Sequence, residues 1–117
     1  MNEKKNIIKE KSFEFALRII EFAELLEENR KYVIAKQILR SGTSIGANIR
    51  EAQSAESAKD FIHKLKISAK EADETEYWLL LCKHSKNYPD SSSLFPLLNE
   101  IQRLLSSIIS STKKKIS

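Results

Sequence analysis

The sequence predicts an all-α protein, an antiparallel up-down-up-down four-helix bundle. Three observations carry this. The 117 residues include only two glycines and two prolines. Turns draw on those residues, so few turns and long elements are expected. Apolar side chains recur three and four residues apart in four stretches divided by short polar breaks. No stretch shows the period of two that a half-buried strand would have. At this length a single domain over 1–117 is expected, with one real core. The helices are placed at about 7–28, 31–55, 57–86 and 93–112.

The first helix carries two apolar stripes. One is Phe13, Ala16 with Leu17, Ile20 and Ala23; the other is Phe15, Ile19, Phe22 and Leu26. One stripe is enough to face a bundle core. The other is surplus on a lone bundle, and exposed apolar surface marks a contact site. We assign Phe15, Ile19, Phe22 and Leu26, with Trp78, to a homo-oligomer interface.

In the second helix Ile34, Ile38, Ile45, Ile49 and Ala52 share a face. That face runs through RSGTSIGANIRE, residues 40–51, which holds both glycines, Gly42 and Gly46. A phosphate-binding loop would need a preceding strand, and either a lysine after the second glycine or a third glycine. None is present, so the pair reads as a place where a neighbouring helix comes close. The third helix aligns Ala58, Phe61, Leu65, Ser68, Ala72, Thr75, Leu79 and Cys82 with three-four spacing. Asn87-Tyr88-Pro89-Asp90 ends it. The fourth aligns Leu94, Leu97, Leu98, Ile101, Leu104, Leu105 and Ile108, with Pro96 in its first turn.

Polar residues form two further patterns. Arg40, Ser44, Asn48 and Glu51 flank the apolar face of the second helix. Ile67, Glu71, Glu74, Trp78 and Leu81 form a matching stripe on the third. A flanking stripe with donors and acceptors suits an interhelical or intersubunit network, in which Arg40 or Asn48 meets Glu74. An ordinary wetted boundary is the plainer alternative. Lys59, His63, Lys66 and Lys70 line the outer face of the third helix. Such a row suits phosphate contact without base recognition; a merely solvated face is again the plainer alternative. Arg30, Lys31 and the Lys113-Lys114-Lys115 run extend the positive field if helix ends bring them near.

Chemistry of other kinds is not expected. Asp60 and His63 have the spacing of half a di-metal site, but the further ligands are missing, so no metal or cofactor is expected. Cys82, the only cysteine, falls on the core stripe and reads as a small hydrophobe. Glu74 and Glu76 point apart on a helix. A non-enzyme with no catalytic residues is expected. The single cysteine excludes an internal disulfide and suits a reducing compartment. No stretch approaches the ~20 apolar residues of a membrane span, and the N-terminus lacks a signal-peptide core. A cytoplasmic protein is expected. The net charge of +4 is a mild lean toward polyanions.

The run Arg40-Ser41-Gly42-Thr43-Ser44-Ile45-Gly46-Ala47-Asn48-Ile49-Arg50-Glu51 resembles the R-[S/A]-x-x-S-I-x-A-N-I-x-E motif of small bacterial proteins encoded by intervening sequences in 23S ribosomal RNA genes. Lys59-Asp60-Phe61-Ile62-His63-Lys64-Leu65, Ala69 and Glu74-Thr75-Glu76 extend the likeness. Lys11 to Ala16 and Glu100 to Ile109 are similar to the family's first and last helices. The resemblance implies an antiparallel four-helix bundle that assembles as a homopentamer. Similar bundles serve diversity-generating retroelements, where they bind nucleic acid through basic surfaces. The first functional expectation is thus an oligomer that binds RNA or DNA weakly through charge. The alternative is a scaffold that binds protein partners and no nucleic acid.

Overall fold

The computed structural model describes residues 3–117; positions 1 and 2 of the expected domain lie outside them. Of the described residues 86% are helical. The elements are α1 (Glu3–Glu28), α2 (Tyr32–Ala52), α3 (Ala58–His84), a 3₁₀ turn (Ser92–Leu94) and α4 (Phe95–Ile116). No strand occurs among the described residues. The helices pack as a ring, α1 on α2, α2 on α3, α3 on α4 and α4 on α1, in a body 49 Å long and 20 Å by 19 Å across. Contacts between neighbours run in opposite register. Gly42 faces Ile19 while Gly46 faces Ser12. On the next seam Ser41 pairs with Thr75 and Ile45 with Ser68.

Each turn has a local cause. At the end of α1, Lys31 N–H reaches the Leu26 carbonyl at 2.8 Å and Arg30 N–H reaches Glu27 at 2.9 Å. This is a Schellman stop, and Arg30 takes the left-handed conformation that glycine usually fills, with φ 63°. α2 ends earlier than expected because Gln53, Ser54 and Ala55 bond three residues back and tighten its last turn. Ser57 caps α3 by accepting the Asp60 N–H at 3.0 Å. The Asp60 carboxylate answers by accepting the Glu56 N–H at 3.1 Å. Asp60 therefore serves a helix start. Pro96 sits in the first turn of α4, where its missing N–H costs nothing.

The core joins all four helices, with Phe15, Ile19 and Leu26, Ile38, Ile45 and Ile49, Leu65 and Leu79, and Leu98, Ile101 and Leu105 fully enclosed. One expectation needs correction here. Phe15, Ile19, Phe22 and Leu26 are core residues of the chain's own bundle, not an outward stripe. α2 presents the bare backbone of Gly42 to Ile19, which draws that stripe of α1 inward. Of the other stripe, Phe13, Leu17 and Ile20 face out and are between 40% and 52% exposed, while Ala23 turns into the core.

Candidate functional site

Two surfaces of α3 hold the residues singled out above. The first is the seam with α2. Arg40 bonds Glu71 at 3.2 Å and also pairs closely with Glu74. Gln37 receives Arg40 as well, at 3.1 and 3.3 Å. The Trp78 indole N–H donates to Glu74 at 2.8 Å. Glu74 is held below the ordinary carboxyl value, first by the Trp78 bond and then by Arg40, with burial working against both. The Arg40 side chain is about half exposed, so the cluster is a surface network.

The rest of the α2 stripe behaves differently. Ser44 donates to the Arg40 carbonyl at 2.8 Å and Asn48 to the Ser44 carbonyl at 2.9 Å, both within α2. Glu51 accepts from Lys64 at 3.2 Å. Thus the structure brings Arg40 to Glu74 inside one chain, and Asn48 stays with its own helix. The buried polar links are others. Ser68 donates to the Ile45 carbonyl at 2.9 Å, and Thr75 Oγ1 lies 2.9 Å from Ser41 Oγ and 2.7 Å from the Glu71 carbonyl it donates to. A signal was present: Ser68 and Thr75 occupy core positions of α3, where a hydroxyl must find a partner.

The second surface is the outer face of α3. Lys59, His63, Lys66 and Lys70 are all exposed there, opposite the buried Leu65 and Ala72. None of the four belongs to an ion pair among the described residues. The antiparallel course of α4 adds Lys113, which lies close enough to lower the pKa of Lys66, by hydrogen bonding first and by charge second. Arg30 and Lys31 are at the opposite end, where Lys31 sits 4.7 Å over the Tyr88 ring. They do not join this field.

Two further groups are placed plainly. Cys82 is enclosed, and burial pushes its thiol up to about 11. His84 is exposed on the last turn of α3. Among the described residues no three His, Cys, Asp or Glu side chains gather where they could hold a metal ion. No helix among them is long and apolar enough to cross a membrane.

Against known proteins, residues 4–109 match the family described as 23S rRNA-intervening sequence protein. Among curated proteins none matches. A crystal structure from Bacteroides thetaiotaomicron, described as a protein with unknown function from the S23 ribosomal protein family, is 51% identical. The match covers 92% of this chain and 98% of that one, with a TM-score of 0.87. A helical bundle with the Arg40–Glu51 run on its second helix, matched over nearly its whole length, belongs to the 23S rRNA-intervening sequence protein family.

Proposed function

We propose that this protein is a non-catalytic, self-associating bundle of the cytoplasm that holds nucleic acid weakly through phosphate contacts along α3. The observation that carries this is the row Lys59, His63, Lys66 and Lys70, exposed together and without a carboxylate partner among the described residues, with Lys113 added from α4. Lysines on one helical face follow a phosphate backbone without reading bases. The family description connects these proteins with ribosomal RNA genes, which makes RNA the first probe. Self-association would repeat the row, and repeated weak contacts gain by avidity. The family resemblance implies five copies.

A labelled structured RNA and a duplex DNA, titrated by fluorescence anisotropy at several salt concentrations, test this. Affinity should fall linearly in log–log salt, with a slope near −0.7 to −0.9 per phosphate contacted. Replacing Lys59, Lys66 and Lys70 together by Gln should remove most binding without changing the oligomer. Unchanged binding in that variant would clear the row of any role. No binding by the wild type at low salt would favour the second reading, a protein-binding scaffold. The exposed Phe13, Leu17 and Ile20 favour that reading.

A further inference from the structure

α3 and α4 leave a groove of about 440 Å³ whose lining includes Lys66 and Asp73 on one wall and Gln102, Ser106, Ser110 and Lys113 on the other. The two lysines come from segments distant in sequence, and only the antiparallel packing unites them. Lys66 and Lys113 line the groove from facing helices, and the charge of Lys113 opposes ionisation of Lys66. Neither lysine has an ion-pair partner among the described residues. The groove's carboxylate, Asp73, accepts a 3.2 Å bond from Gln102 and lies two helical turns along α3 from Lys66. The Ser106 and Ser110 hydroxyls, one turn apart, carry no hydrogen bond among the described residues. Two ammonium groups are thus set together beside spare hydroxyl donors, an arrangement that the packing of the bundle does not require. An anion between them turns the repulsion into two charge-assisted hydrogen bonds.

The geometry points to a phosphate-binding notch in this groove: Lys66 and Lys113 grip one phosphodiester of a bound nucleic acid between them, with Ser110 or Ser106 as a further donor. This rests on the nucleic-acid reading above and sharpens it. The bound backbone follows the α3–α4 groove, and the C-terminal lysine run becomes part of the site.

The test uses the full chain with isotope-labelled lysines and follows their side-chain NMR signals while a structured RNA is added. Lys66 and Lys113 should shift together, and the pKa of Lys66 should rise, because a bound anion favours the charged ammonium. In the anisotropy assay Lys66→Gln and Lys113→Gln should each weaken binding, and together they should reduce the salt slope by about one, the single phosphate they share. The double variant should lose less than the product of the two single losses, because both hold the same phosphate. If Lys113→Gln binds RNA as the wild type does, or the two losses simply multiply, the notch is overturned while the nucleic-acid reading stands. If the wild type binds no RNA, that reading falls and the same NMR experiment is run with inorganic phosphate. A joint shift of Lys66 and Lys113 then supports a phosphate site, and two unmoved signals end the proposal.

Discussion

At Gly42 a single methyl group decides the packing of two helices. A Cβ built there would lie 2.8 Å from two carbons of Ile19, which is fully enclosed and cannot withdraw. Alanine would gain about 1 kcal/mol of helix propensity, but overpacking a core costs about 1–3 kcal/mol. Gly42→Ala should therefore destabilise the protein in a urea melt. Gly46→Ala should cost less, since its nearest neighbour, the Ser12 carbonyl, is at 3.3 Å and that seam is only partly closed. Equal midpoints for the two variants would contradict this account. The seam between α2 and α3 is set by hydroxyls. Ser68→Ala removes the bond to the Ile45 carbonyl and should cost about 1 kcal/mol, read from the same melts. Glu74 adds a pH dependence. Its pKa in the folded chain is below the ordinary 4.5, so its contribution is complete above that value. It is lost as the pH falls through the lower folded value. Acid titration of stability should show a smaller loss for Glu74→Gln than for the wild type.

The helices were largely legible in the sequence, and the departures have local causes. The three-four spacing of α3 from Phe61 to Cys82 is the buried face itself, including Ser68 and Thr75, while Ala58 is only half-buried. The stop after Glu28 was readable as polar residues, but not its geometry, because Arg30 occupies a position where glycine would have signalled it. A side chain in that conformation costs about 1–2 kcal/mol. Arg30→Gly should consequently raise the melting temperature, and a lowered one would mean that the Arg30 side chain supplies contacts of its own. At the other end α4 continues through Lys113-Lys114-Lys115 to Ile116, beyond the expected limit. Hydropathy marks that run as a tail. The helix dipole, which favours cations in a last turn, lets it remain helical.

At the scale of the whole molecule the sequence left a real ambiguity. The two stripes of α1 are alike in composition, so periodicity alone does not say which one turns inward. Gly42 settles it from another helix, by offering Ile19 a place to sit. The same choice leaves Phe13, Leu17 and Ile20 on the surface, with the Arg50 guanidinium 5.6 Å from the Phe13 ring. If copies of the chain meet there, Leu17→Glu should reduce the mass seen by light scattering and leave the helical circular dichroism signal unchanged. An unaltered mass would move the contact elsewhere. The cluster of Arg40, Glu71, Glu74 and Trp78 was legible as a pairing of two flanking stripes, because its members share the spacing of adjoining helices. The meeting of Lys66 and Lys113 was not, since it depends on how far α4 runs before it ends.

Cys82 gives the bundle a built-in clock. Its thiol is enclosed among core side chains and stays protonated well above neutral pH, and only the thiolate reacts with thiol reagents. Labelling of the intact protein must then wait for α3 to come away from its neighbours. The labelling rate, followed against reagent concentration, reads how often that opening occurs. RNA that clasps α3 to α4 would slow the clock, and RNA held only on the outer crest of α3 would leave it running at the same speed.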